Sequence, residues 1–254
     1  MPFSAYLVVC PLVLLAGFID SIAGGGGLIS LPAYLMIGLP PATASGTNKL
    51  SAALGTVAST VQYHIGGRIR YAAAIPAALT ALPGSALGAK LMTLIDPSVA
   101  RYMMIGILPV IGILVIGKKN SLEPNRRVSE GVLPAFCAIM GFVIGFYDGL
   151  VGPGTGTFLV LIMTMVFGMN AVDASGSAKV VNLASNVASL ITYALSGKVI
   201  VSLGLTAAFF GVAGNLIGSS LTIRKGTGFI KTILIVVLSL LMIKMIADIL
   251  TPAV

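Results

Sequence analysis

Two lysines and two aspartates lie inside long apolar stretches of this 254-residue chain, at matching places in its two halves. Lys49 and Lys179 are 130 residues apart, and Asp20 and Asp148 are 128 apart. A lysine held inside a membrane costs roughly 2.5–3.5 kcal/mol on insertion scales, so two in corresponding positions point to a function. Both have hydroxyl and amide neighbours. Ser45, Thr47 and Asn48 precede Lys49; Ser175 and Ser177 precede Lys179, and Asn182 follows it. An ammonium in such company suits a small oxyanion. The competing reading is that each lysine snorkels to an interface or pairs with Asp20 or Asp148. The two aspartates are candidates to carry a coupling proton, or else to cap a helix or neutralise the lysines.

The other chemistry is in the backbone. Gly24, Gly25, Gly26 and Gly27 form one run, and Gly152, Gly154 and Gly156 alternate with Pro153 and Thr155 in another. Each run leads into a short apolar segment. The first N–H groups of a helix lack intrahelical partners and lie at the positive end of its dipole. Glycine lets an anion come close to them. Small residues also permit close helix packing in membranes, and that reading is preferred for Gly84, Gly88, Gly214 and Gly218.

These groups need elements to position them. Apolar residues are 57% of the chain, charged residues 9%, and the mean hydropathy is +1.07. A soluble domain carries about 25% charged residues. A soluble enzyme, a disordered chain and a disulfide scaffold are therefore excluded, and an all-α polytopic membrane protein is expected. Apolar runs read against proline and glycine punctuation predict ten segments: 3–23, 28–39, 41–65, 71–94, 98–117, 131–151, 157–168, 171–196, 199–223 and 228–250. They group into an N-terminal transmembrane repeat (1–117), a cytoplasmic linker (118–130) and a C-terminal transmembrane repeat (131–254). The linker carries Lys118, Lys119, Arg126 and Arg127. Alternating from it places Arg68, Arg70, Arg224, Lys225 and Lys231 on the same side, as the positive-inside rule asks, and both termini outside. The net charge of +8 thus reads as orientation in a lipid bilayer, not as nucleic-acid binding. Cys10 and Cys137 read as structural thiols without a metal-ligating cluster. The first apolar run, beginning MPFSAYLVVC without a basic stretch, reads as a retained span. His64 reads as interfacial, and Lys244 has no assigned role.

Segments 28–39 and 157–168 would be about 18 Å long as helices, against a hydrocarbon core of about 30 Å. The glycine runs must then continue them as non-helical chain, which is tolerated only inside protein or along a wet cavity. The two halves also match in order. Ala44-Ser45-Gly46 falls on Ala174-Ser175-Gly176, Tyr63 on Tyr193, Gly84 on Gly214 and Gly88 on Gly218 at a shift of 130, and Gly17-Phe18 on Gly145-Phe146 at 128. Five segments per half is an odd number, so the second half should enter the membrane from the opposite side. Such an inverted-topology repeat is a plan common in secondary transporters, which bind their solute near the midplane.

The stretch from Gly17 to Gly27, the stretch from Ala44 to Lys49 and Gly145-Phe146-Tyr147-Asp148-Gly149 resemble the TauE/SafE family of sulfite-exporter-like membrane permeases. The second half departs from the pattern, with Pro153 in its glycine run and Ala178 where the first half has Asn48. The resemblance implies a multi-pass protein of the cell (inner or plasma) membrane that moves small, often sulfur-containing anions. Residues and resemblance together lead to a secondary transporter acting by alternating access. Its expected solute contacts are Gly24, Gly25, Gly26, Gly27, Ser45, Thr47, Asn48, Lys49, Gly152, Gly154, Gly156, Ser175, Ser177, Lys179 and Asn182. Its expected partners are the bilayer, an anion and a coupling proton or ion. No cofactor is expected, since no GxxxxGK[ST] loop is present; a homo-oligomer is compatible with the reading. An anion channel is the alternative. An intramembrane aspartyl enzyme is the other, and it would need Asp20 and Asp148 to share a proton.

Overall fold

The computed structural model describes residues 1–100, 102–103 and 131–233, and within these it contains helices and no strand. Eight helices carry the fold: α1 (Phe3–Ala23), α2 (Gly27–Met36), α3 (Pro41–Ile65), α4 (Tyr71–Leu94), α5 (Leu133–Leu150), α6 (Thr155–Met165), α7 (Ala171–Leu195) and α8 (Val201–Lys225). The linker 118–130 and most of segments 98–117 and 228–250 lie outside the described residues, as does Lys244.

Local chemistry sets the limits of these helices. Pro41 opens α3 at a position where its missing N–H costs nothing. Asn170 caps α7 by accepting the N–H of Asp173 at 2.9 Å. The two short helices are shorter than the sequence suggests. α2 has 10 residues and α6 has 11, because each is followed by a left-handed glycine, Gly38 or Gly168, that turns the chain early. α1, α4, α5 and α8 are long and apolar enough to cross a bilayer. Their outer faces bear exposed large apolar side chains, among them Leu15, Leu79, Ile139 and Phe209, as a lipid-facing surface requires.

The packing follows one scheme in both halves. α1 lies along α8 and α4 along α5; α3 and α7 cross each other and pack against α8 and α4. Exchanging each helix of one half for its counterpart turns α1–α8 into α5–α4 and α3–α8 into α7–α4, and leaves α3–α7 as it is. Tyr63 and Tyr193 occupy equivalent places in two separate cores, and their hydroxyls donate to the carbonyls of Ser21 (2.7 Å) and Gly149 (2.8 Å). Glycines set the helix separation. A Cβ on Gly88 would fall 2.0 Å from the Phe146 carbonyl oxygen, and one on Gly218 would fall 2.4 Å from that of Phe18. The α4–α5 and α1–α8 seams are therefore backbone against backbone, the packing expected of these glycines.

Candidate functional site

α1 stops at Ala23 because Gly24 adopts a left-handed conformation, φ +74°, and returns its N–H to the Asp20 carbonyl at 2.8 Å. In the second half the chain leaves α5 through Gly152 (φ +92°), Pro153 and Gly154 (φ +82°) before α6 begins. These breaks meet. A Cβ on Gly24 would lie 2.2 Å from the carbonyl carbon of Gly156. Thr157 donates its N–H to the Gly24 carbonyl and its hydroxyl to that of Ala23, both at 3.0 Å. Neither α2 nor α6 has a side-chain cap. Among the described residues no hydrogen bond takes the N–H of Gly27, Gly154 or Gly156. Two uncapped helix starts thus present free donors around one point.

Two ion pairs flank that point, and each joins one half to the other. Lys49 Nζ lies 2.6 Å from Asp148, and Lys179 Nζ lies 2.6 Å from Asp20. Both lysines are buried, at 5% and 1% exposure. The pairs differ in their surroundings. Asp148 also accepts from Ser185 Oγ at 2.6 Å, and Lys49 also donates to Asn186 Oδ1 at 2.9 Å. Among the described residues Asp20 has one further hydrogen bond, a long 3.4 Å one from the Gly26 N–H, and its side chain is 23% exposed. The second carboxylate is accordingly the more accessible and the less restrained.

Between the breaks and the pairs lies a partly open cavity of about 60 Å³, above the roughly 10–15 Å³ needed to hold one water and enough for a few waters or one small oxyanion. Of the expected contacts, Gly24, Gly26, Gly27, Asn48 and Lys49 line it from the first half. Gly152, Gly154, Gly156 and Asn182 line it from the second, and both Asp20 and Asp148 reach it. Gly25, Ser45, Thr47, Ser175, Ser177 and Lys179 lie outside its lining. Four of these six have other contacts. Thr47 Oγ1 accepts the N–H of Ile200 at 3.1 Å and Ser177 Oγ accepts that of Arg70 at 2.9 Å, each at the start of a long helix. Ser175 donates to the Ile22 carbonyl, and Lys179 is held by Asp20.

Sequence reasoning passed over Asn186 and Asn215, which line the cavity although no motif marks them. It also passed over Asp173, buried and bonded to Arg70 at 2.9 Å, away from the cavity.

This constellation can be set against known proteins. A family model described as sulfite exporter TauE/SafE matches residues 9–245. The chain belongs to the TauE/SafE family. This TauE/SafE chain is 35% identical over 246 residues to a "probable membrane transporter protein ORF9" of Sinorhizobium sp., covering 96% of this chain and 92% of that one. It is 34% identical to a "probable membrane transporter protein YfcA" of Escherichia coli, covering 97% and 94%, and 32% identical to a "probable membrane transporter protein" of Haemophilus influenzae, covering 92% and 91%. No solved structure matches it. It is a multi-pass membrane transporter of this family, and its cavity is built where the two broken segments meet.

Proposed function

We propose that this protein is a secondary transporter for small anions, sulfur-containing oxyanions or organosulfonates such as sulfite, working by alternating access in the plasma (inner) membrane. The carrying observation is the head-to-head meeting of two uncapped helix starts beside two Lys–Asp pairs whose lysines are buried. The family's description supplies the sulfur-containing class. The free N–H groups of Gly27, Gly154 and Gly156 donate to the oxyanion. The two halves are read as inverted-topology repeats, since their contacts keep the same pattern when the halves are exchanged. Rocking one half about the Gly24–Gly156 contact opens the cavity to one side at a time.

The ion pairs provide the coupling. Two lysines and two carboxylates cancel, so an entering anion adds uncompensated charge to a low-dielectric site. A proton on Asp20 restores neutrality and frees Lys179. Each carboxylate is matched to a lysine, an arrangement that serves charge balance rather than the shared proton of an aspartyl enzyme.

The test is counterflow of radiolabelled sulfite into proteoliposomes loaded with unlabelled sulfite. Accumulation is expected in the native chain and loss in Lys49→Ala. Passive flux without counterflow would assign a pore, and no sulfite movement at all would remove the anion reading.

A further inference from the structure

The cavity runs on beyond its glycine N–H groups. From Asp20 its lining continues along α1 through Gly17 and Ala16 to Val13, a rise of about 10 Å at 1.5 Å per residue. Ala52 of α3 and Gly211 of α8 complete this stretch. The three helices meet closely there: a Cβ on Gly17 would fall 2.5 Å from the Gly211 carbonyl oxygen, and one on Gly211 would fall 3.6 Å from that of Ser51. The polar side chains beside the stretch are bonded within the protein. Ser51 Oγ donates to the Asn48 carbonyl at 2.9 Å and meets the Tyr34 hydroxyl at 2.9 Å, and Asn215 Nδ2 donates to the Gly211 carbonyl at 3.0 Å. What faces the space is therefore the small apolar surface of Val13, Ala16, Gly17, Ala52 and Gly211. A bare oxyanion loses hydration against such a wall and gains nothing from it, whereas an alkyl group is favoured there.

We infer that the transported solute is an organic anion with a short apolar tail: its charged head takes the glycine N–H groups, and its tail lies in the recess between α1, α3 and α8. This rests on the anion reading above and narrows it. The recess is one-sided. The positions equivalent to Val13, Ala16 and Gly17 at a shift of 128 are Gly141, Ile144 and Gly145; those equivalent to Ala52, Gly211 and Asn215 at 130 are Asn182, Ala81 and Ser85. Of these six only Asn182 lines the cavity, with its Nδ2 beside Gly156 at the glycine end. The matching space in the other half is filled. A Cβ on Gly145 would fall 2.7 Å from Ala81 Cα, and Ser85 Oγ donates to the Ser185 carbonyl at 2.7 Å. The tail thus points one way, toward Val13.

Methanesulfonate, ethanesulfonate and isethionate share one charged head and differ only in the tail. Their affinities for the purified full chain in detergent are measured by isothermal titration calorimetry, with sulfite as reference. Ethanesulfonate is expected to bind about fourfold tighter than methanesulfonate, equivalent to about 0.8 kcal/mol for one buried CH₂. Isethionate, with a hydroxyl at the end of the ethanesulfonate tail, should lose that gain. Gly211→Ala narrows the recess at one methyl's cost, since the new Cβ would meet Val13 Cγ1 at 3.2 Å and no backbone atom closer than 3.6 Å. It and Ala52→Leu should each bring the ethanesulfonate-to-methanesulfonate ratio close to one. Equal affinities of those two anions in the native chain, or isethionate binding as tightly as ethanesulfonate, overturn the inference and leave the anion reading standing. A fourfold preference that survives both variants puts the tail elsewhere and also overturns it. Binding of none of the four anions, sulfite included, removes the anion reading itself.

Discussion

Asp148 and Asp20 occupy equivalent positions, but their side chains do different work. Asp148 is enclosed by Lys49 and Ser185, so Asp148→Asn leaves the buried Lys49 ammonium without its counter-charge. Losing one partner of a buried pair costs about 3–5 kcal/mol, and a drop in thermal stability of that size is expected in detergent. Replacing both partners by apolar residues, as in Lys49→Met with Asp148→Leu, should recover most of that stability, since buried pairs exchange nearly neutrally for well-packed apolar ones; counterflow should stay lost. Asp20→Asn should destabilise less. It should retain sulfite counterflow while abolishing uptake driven by a pH gradient, measured in the same vesicles. The lysines and aspartates were legible as candidates because charge inside an apolar run is expensive. Their crossing was not, because a repeat shift says which residues correspond and not which ones meet. Asn186 and Asn215 were hidden for a related reason: a single amide within a long helix carries no pattern of its own.

The helices were more legible. Proline and glycine punctuation marked α1, α3 and α4 at their observed limits, since those signals act through local backbone sterics. The short helices ended sooner than their apolar runs, because apolarity continues through the turns at Gly38 and Gly168. The seams between helices make a sharp prediction. Gly88→Leu would drive a side chain into the Phe146 carbonyl, so a collapse of the α4–α5 seam and loss of the folded protein's peak on size-exclusion chromatography are expected. Gly24→Ala combines a left-handed backbone with the Gly156 contact and should abolish transport. Outside the spans, Asp96 accepts the N–H of Ser98 at 2.8 Å and the Ser98 hydroxyl, which hold its carboxyl below the usual carboxylate range. A depressed folded-state value stabilises above the unfolded one and stops doing so as pH falls through the folded one. The helical residues 97–100 that follow Asp96 should therefore loosen in acid, seen as faster amide exchange at Ser98, and Asp96→Ala should remove that pH dependence.

At the scale of the molecule, several contacts of one half have a counterpart in the other. Thr47 and Ser177 show it most simply, each hydroxyl taking the N–H at the start of a long helix in the other half. Thr47→Val and Ser177→Val should each cost about 1 kcal/mol, the net worth of one hydrogen bond at a part-buried site. The two losses should be similar and close to additive in thermal unfolding. The asymmetry of the cavity was less legible, since the asparagines depart from the repeat one position at a time. The crossed pairs also bear on how the protein is made. A ribosome delivers Asp20 and Lys49 to the bilayer before either of their counter-ions has been synthesised. The nascent N-terminal portion must wait with two unmatched charges until the rest arrives, so a prematurely terminated chain is an open target for membrane quality-control proteases, and the finished one is not.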